Sequence, residues 1–85
     1  MRLSGKVVLV TGSATGVGEG IARRAAAEGA TVVIHGREEE RQTGEGIAQE
    51  LGGLFVAGEL SDPLVPRRIV DATVERYGRL DGLVN

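Results

Sequence analysis

The sequence of 85 residues contains no cysteine and no tryptophan, and it has only two prolines and one tyrosine. The absence of cysteine excludes disulfide bonds and thiolate metal sites, so cysteine usage does not mark the compartment. No apolar run approaches the ~18 residues of a membrane span, and residues 1–6 lack the apolar core of a secretory signal. His, Asp and Glu do not cluster with the spacing of metal ligands. We therefore expect a soluble, cytoplasmic protein without a bound metal.

An excess of charge of one sign is also lacking. Lys and Arg number 10 and Asp and Glu number 12, which leaves a net charge of −2. This balance gives no reason to expect nucleic acid or an acidic membrane as a partner. The chain suffices for one small domain at most, and such a domain buries only about 60–65% of the surface that its unfolded chain exposes. We expect its stability in isolation to be marginal.

Glycine, by contrast, is frequent, and three of the 14 glycines lie between Thr11 and Gly18, directly after the apolar run Val7 to Val10. Gly12 permits a tight turn out of a buried strand because it has no Cβ. Gly16 leaves the first amides of a following helix open to a pyrophosphate, and Gly18 falls on the helix face nearest the sheet. The helix dipole and these unpaired amides form an anion site that needs no lysine. The stretch predicts a dinucleotide-binding turn.

Three other interpretations of the glycine loop agree less well with the sequence. Val17 stands where a Walker-type phosphate loop requires glycine, and the spacing Gly-x-x-x-Gly-x-Gly differs from the common Gly-x-Gly-x-x-Gly. A glycine-rich turn with a purely structural role is the alternative, but strand, turn and helix occur in the required order. We expect hydroxyl bonds to phosphate from Ser13 and Thr15. The loop residues expected at the cofactor are Gly12, Ser13, Thr15, Gly16, Val17 and Gly18.

Strands and helices alternate along the chain. Short β-branched runs predict strands at residues 6–10, 31–35, 54–57 and 80–84. Helical spacing predicts a helix from Val17 to a cap at Gly29, a second from Glu38 to Leu51, and a third with Pro66 in its first turn and Gly78 at its end. The predicted apolar faces are Val17, Ile21, Ala22, Ala25 and Ala26 on the first helix, and Ile69, Val70, Thr73, Val74 and Tyr77 on the third. Three strand–helix steps predict the N-terminal half of a Rossmann-type, doubly wound parallel α/β sheet with strand order 3-2-1-4.

The sequence resembles the short-chain dehydrogenase/reductase family. The resemblance rests on the segment Gly5 to Gly12, on the spacing of the three glycines, and on the closing segment Leu80 to Asn85, which is similar to the start of the family's Asn-Asn-Ala-Gly strand. It extends over the whole chain but covers only the N-terminal part of a family domain. The resemblance implies that residues 1–85 are a partial NAD(P)-binding domain that ends before the catalytic half.

The segment after the second strand bears on the choice of cofactor. In a Rossmann site an acid about 20 residues after the glycines selects NAD by binding the ribose 2′-hydroxyl. By the resemblance that acid aligns with Gly36, and Arg37 follows where a guanidinium could clamp a 2′-phosphate. This favours NADP over NAD. Glu38 and Glu39 remain alternatives as ribose acids, and residues 39–41 are interpreted as a solvated helix start.

The ends of the third and fourth strands are expected to hold the adenosine. Glu59 and Leu60 align with family residues that meet the adenine amino group and line its pocket, although the family has Asp where this chain has Glu59. We interpret Asp62 as a turn residue before Pro63. By the resemblance Asn85 lies beside the adenine ribose, and an end-of-strand Asn without another role is the alternative.

No catalytic residue can be carried over from the family. Its members use a tyrosine as acid/base in Tyr-x-x-x-Lys, whereas the only tyrosine here is Tyr77, position 81 is Asp, and the only lysine is Lys6. We interpret Tyr77 as a core or helix-end aromatic, and His35 as structural or as a lining residue. The 85 residues alone are therefore expected to be inactive.

Three functional readings follow from these observations. The first is the NADP(H)-binding portion of a short-chain oxidoreductase that moves hydride to or from a carbonyl or alcohol substrate, of the 3-oxoacyl reductase type and homo-oligomeric when complete. The second is a noncatalytic NADP(H)-binding module or an inactive fragment. The third is half of an S-adenosylmethionine-dependent methyltransferase, which the Thr11-Gly12 start and the missing acid at Gly36 argue against.

Overall fold

A computed structural model describes residues 2–85 as a four-stranded parallel sheet with helices on both faces. The elements in chain order are β1 (Val7–Val10), α1 (Gly16–Ala27), β2 (Thr31–Gly36), a 3₁₀ turn (Glu38–Glu40), α2 (Arg41–Leu51), β3 (Leu54–Ala57), α3 (Val65–Tyr77) and β4 (Gly82–Val84). The strand order is β3-β2-β1-β4, and every pair is parallel. The predicted Rossmann-type half-sheet is confirmed.

The two central strands are the most buried part of the molecule. All four residues of β1 are buried, as are the last five residues of β2, which agrees with the apolar runs Val7–Val10 and 32–34. The register pairs Val10 with Ile34, so β1 and β2 end almost level. The residues that follow β1 and β2 in the sequence therefore lie side by side in the structure.

The helices divide between the two faces of the sheet. Alanines of α1 and the apolar residues of α2 pack with Val8, Val10, Val32 and Ile34 on one face. Val65 and Ile69 of α3 pack with Val7, Leu9 and Val33 on the other. Because each helix runs back from the carboxyl end of a strand, α1 and α3 both begin at the carboxyl edge of the sheet.

Several element boundaries and faces differ from the sequence-based expectation. The helix expected from Glu38 begins as a 3₁₀ turn and becomes α-helical only at Arg41, and β4 is shorter than expected. Val17 and Val74, expected on apolar core faces, are 81% and 43% exposed. Val17 lies in the first turn of α1 and borders an open surface beside β4.

One flank of the sheet exposes apolar surface. Leu83 of β4 is 54% exposed, and together with Val17 and Ile21 it borders a concave surface of about 630 Å³ beside α1. Within residues 2–85, none of the helices has both the length and the apolar character needed to cross a membrane.

Asp81, at the amino end of the sheet, provides a pH-dependent contribution to stability. Its Oδ2 accepts the Val7 N–H at 2.8 Å, and its carboxylate accepts two bonds from Arg79 at 2.9 and 2.7 Å. These bonds, the Arg79 one foremost, lower the pKa of Asp81 below its ordinary value. Folding is therefore favoured by the ionised carboxylate, and this contribution is lost as the pH falls through the lowered pKa.

We expect Asp81→Asn to reduce the free energy of unfolding at pH 7 and to flatten its decline below about pH 4, where an ordinary aspartate titrates. Urea denaturation at a series of pH values measures both effects. The other ionised carboxylates remain in the variant, so the difference between the two curves isolates Asp81. Identical acid limbs for the two proteins would contradict the assignment.

Candidate functional site

The residues expected at a cofactor lie at one edge of the molecule, because all four parallel strands end there. The glycine loop follows β1, Arg37 follows β2, Glu59 follows β3 and Asn85 follows β4. The hydroxyl of Thr11 donates to Asn85 Oδ1 at 3.2 Å, which ties the first of these strand ends to the last. The carboxyl edge of an open parallel sheet is the usual ligand-binding edge of this architecture.

The glycine loop presents open backbone to this edge. Gly12 and Gly16 have φ values of +61° and +62°, a left-handed conformation that side chains disfavour. Apart from the adjoining backbone and chain neighbours, no atom lies within 4 Å of the point where a Cβ on either residue would stand. The amides of Gly16, Val17 and Gly18 open the 12-residue helix α1 and have no acceptor one turn earlier. An anion can therefore approach these amides without meeting a side chain.

Gly18 serves a different purpose from the other two glycines. A Cβ at this position would overlap the carbonyl of Gly12 and lie 3.0 Å from Ser13 Cα. The first turn of α1 thus rests directly on the backbone of the loop. This close approach brings the amino end of α1 to the end of β1.

Ser13 shapes the loop from within. It is fully buried, its hydroxyl donates to the Val10 carbonyl at 2.6 Å, and its oxygen accepts the His35 N–H at 3.0 Å. The expected hydroxyl bond from Ser13 to a phosphate is therefore not available in this conformation, because its proton is used inside the turn. Thr15 differs: it is the N-cap of α1, it is exposed, and its side chain makes no capping bond.

His35 is the residue whose role the sequence revealed least. It is 2% exposed, its Nδ1 accepts the Gly12 N–H at 2.9 Å, and its Nε2 lies 2.8 Å from the Gly58 carbonyl. Since Nδ1 must be an acceptor, Nε2 carries the proton and donates to Gly58. The ring therefore joins the first glycine of the loop to the end of β3. The only sign of this role in the sequence was the position of His35 next to the carboxyl end of β2.

The segment after β2 holds one basic and several acidic side chains. The Arg37 side chain is 53% exposed, and its Nη1 and Nε lie 3.7 Å and 3.6 Å from the carboxylates of Glu39 and Glu40. A Cβ at Gly36 would come within 2.9 Å of Ala14 Cβ and 3.1 Å of Glu40 Oε1. Position 36 is thus closed to a side chain, and a carboxylate from the 3₁₀ turn lies beside it.

A cleft of about 240 Å³ lies between these strand ends. It is lined by Gly12, His35, Gly36, Arg37, Glu40, Gly58, Glu59 and Leu60. Leu60, 46% exposed, also borders a more apolar cavity of about 220 Å³, which Asn85 and Ile69 line as well. The structure therefore brings Arg37, Glu59 and Leu60 to one cleft and Asn85 to the neighbouring one.

Other polar groups lie away from this edge. Tyr77 ends α3 and packs near Val7, at the amino end of the sheet, and its buried hydroxyl has no hydrogen-bond partner. Over residues 2–85 no three His, Cys, Asp or Glu side chains are grouped closely enough to hold a metal ion. Tyr77 therefore lies apart from the cleft at the carboxyl edge.

The fold and the loop together define the N-terminal half of a Rossmann-type nucleotide-binding protein. A family model described as short chain dehydrogenase matches residues 6–85. The chain belongs to this short-chain dehydrogenase family, and the resemblance suggested by its motifs is confirmed.

Similar proteins include enzymes and cofactor complexes. The L-fucose dehydrogenase of Oryctolagus cuniculus is 44% identical over 85 residues, covering 99% of this chain and 29% of that protein. The 3-ketoacyl-(acyl-carrier-protein) reductase of Brucella melitensis, complexed with NADH, is 38% identical with a TM-score of 0.87, covering 95% of this chain and 33% of that one. A short chain dehydrogenase of Burkholderia cenocepacia in complex with NADP is 40% identical with a TM-score of 0.85, covering 100% and 36%. The chain thus spans about a third of the length of these relatives.

Proposed function

We propose that this chain is the cofactor-binding part of an NADP(H)-dependent short-chain oxidoreductase that moves hydride between the cofactor and a carbonyl or alcohol. The observation that carries the proposal is the meeting of free α1 amides, an open glycine loop and Arg37 at one sheet edge. Similar structures hold NADH or NADP. We favour 3-oxoacyl compounds as the substrate class because one of these structures is a 3-ketoacyl reductase.

The residues present fit such a cofactor. The open space over Gly12 and Gly16 leaves room for a pyrophosphate against the amides of α1, whose dipole favours negative charge. Arg37 would meet a 2′-phosphate, Leu60 would cover the apolar adenine, and Asn85 would lie at its ribose. When bound, the nicotinamide supplies the hydride acceptor or donor.

We place the catalytic acid/base groups outside these residues. The family's Tyr-x-x-x-Lys pattern is not present, and Tyr77 lies at the amino end of the sheet, opposite the glycine loop. Residues 1–85 therefore bind and orient the cofactor in this proposal, and they do not turn over substrate alone. The substrate-activating residues would come from a segment that follows this half of the fold.

Replacing Arg37 tests the proposed cofactor. A hydrogen bond to a charged group contributes about 1.5–3 kcal/mol, and 1.4 kcal/mol is tenfold in affinity. Because Arg37 is half exposed, we expect Arg37→Ala to weaken NADPH binding about tenfold, the lower end of this range, while NADH binding changes little. Calorimetric titration of the chain with both cofactors measures the two effects.

Arg67→Ala is the matched control, since Arg67 is an exposed arginine of α3 whose ion pair, with Asp71, lies on its own helix. It removes the same charge and should leave both affinities unchanged. Equal weakening of NADPH and NADH by Arg37→Ala would contradict the 2′-phosphate assignment. Binding of neither cofactor by a folded wild-type chain would contradict the proposed function itself.

A further inference from the structure

Glu40 is a partly buried carboxylate in the cleft, and the motifs of the sequence did not single it out. Its side chain is 22% exposed, whereas those of Glu38 and Glu39 are 71% and 65% exposed. The 3₁₀ turn after Arg37 directs Glu40 back over the end of β2, while its two acidic neighbours face solvent. Glu40 is therefore not part of a solvated helix face.

Two contacts fix the position of this carboxylate. Glu40 Oε1 accepts the backbone N–H of Arg37 at 2.8 Å, and the same oxygen lies 3.6 Å from the guanidinium Nε of Arg37. It also lies 3.1 Å from the point where a Cβ on Gly36 would stand. The carboxylate thus occupies the space beside Gly36 that a side chain at this position would enter.

We propose that Glu40 is a specificity-determining residue that opposes the 2′-phosphate and favours the 2′-hydroxyl, so that Arg37 and Glu40 together set the NADP/NAD ratio. This inference rests on the proposed function, because it concerns the same cleft. A phosphate brought to Arg37 meets the negative charge of Glu40 and competes with it for the guanidinium and for the Arg37 N–H. A neutral hydroxyl donates to the carboxylate and leaves the Arg37–Glu40 pair intact.

The chemistry of Arg37 and Glu40 explains why the two residues act on cofactor choice in opposite directions. Arg37 supplies the charge-assisted donors that a phosphate needs. Glu40 and the more distant Glu39 already neutralise part of the Arg37 charge, so less of it is available to a phosphate. Binding of NADP(H) therefore requires the guanidinium to leave Glu40, whereas binding of NAD(H) does not.

Glu40→Gln is the decisive variant because it keeps an oxygen to accept the Arg37 N–H and removes only the charge. We expect the ratio of NADPH to NADH affinity, measured by calorimetric titration of the whole chain, to rise about tenfold. Glu40→Asp keeps the charge on a shorter side chain and should remain closer to wild type. Circular dichroism should show the same helix content for all three proteins.

A further glutamate serves as a control for net charge. Glu75→Gln makes the same charge change at an exposed position of α3. We expect the affinity ratio of this variant to stay within about twofold of wild type. An unchanged ratio in Glu40→Gln, or an equal rise in Glu75→Gln, would overturn the inference.

The failure of this inference is distinguishable from that of the proposed function. If Arg37→Ala loses affinity for NADPH but Glu40→Gln leaves the ratio unchanged, the cleft binds NADP(H) and only the role of Glu40 is refuted. If the folded wild-type chain binds neither cofactor, both are refuted.

Discussion

Gly18→Ala is expected to destabilise the fold by about 3 kcal/mol and to weaken cofactor binding at least tenfold. The added methyl group would overlap the Gly12 carbonyl and crowd Ser13 Cα, and both obstacles are backbone atoms. Backbone cannot move aside as a flexible side chain does, so the first turn of α1 must lift from the loop. A small domain of this kind is stable by only about 5–15 kcal/mol, and the loss is a large fraction of it.

Gly20→Ala provides the control within the same helix. Nothing lies within 4 Å of the point where its Cβ would stand, and the residue is exposed. Alanine is the better helix former, so this substitution should stabilise the protein by up to about 1 kcal/mol. Urea denaturation followed by circular dichroism, together with titration with NADPH, compares the two variants. If both alanine variants behave alike, the close approach of α1 to the loop is not what Gly18 provides.

Much of the fold was predictable because its signals are local. The unalternating apolar run Val7–Val10 indicates a strand covered on both faces, and the β-rich run at residues 31–35 indicates a second strand. The observed burial of both strands agrees. The glycine spacing likewise places a tight turn before a helix. The parallel order then follows, because each strand is succeeded by a helix that returns the chain to the same edge.

The parts that could not be predicted depend on relations between strands. Val10 pairs with Ile34, and this register brings Ser13, three residues after Val10, against His35, one residue after Ile34. No local pattern indicates that the Ser13 hydroxyl will be used inside the turn. Val17 shows a different limit: it continues the helical apolar spacing, but it lies in the first turn of α1 and is 81% exposed.

Glu40 illustrates a third limit, which concerns the type of helix. If a regular α-helix started at Glu38, the three consecutive glutamates would be interpreted as one solvent-exposed patch. The 3₁₀ turn instead lets Glu40 cap the Arg37 N–H and enter the cleft. Because this turn is 3₁₀ and not α-helical, Glu40 lines the cleft instead of facing solvent. Periodicity in the sequence does not distinguish a 3₁₀ turn from the first turn of an α-helix.

His35→Phe is expected to lower the free energy of unfolding by about 2–4 kcal/mol, since each buried group left without a partner costs about 1–3 kcal/mol. The ring of His35 satisfies two partly buried groups, the Gly12 N–H and the Gly58 carbonyl. Loss of the bond to the Gly12 N–H also removes a constraint on the turn that presents the α1 amides. We therefore expect cofactor affinity to fall together with the free energy of unfolding. Urea denaturation and calorimetric titration measure the two effects.

Two conservative variants separate the bonds that His35 makes. Asn can place an acceptor near the position of Nδ1, and Gln can place a donor near that of Nε2. We expect His35→Asn to retain more cofactor affinity than His35→Gln, because only the bond to Gly12 belongs to the phosphate loop. Nitrogen-15 shifts of the wild-type ring should show Nε2 protonated and Nδ1 bare. A ring protonated at Nδ1, or equal cofactor affinities for the two variants, would mean that His35 stabilises the strand ends without positioning the loop.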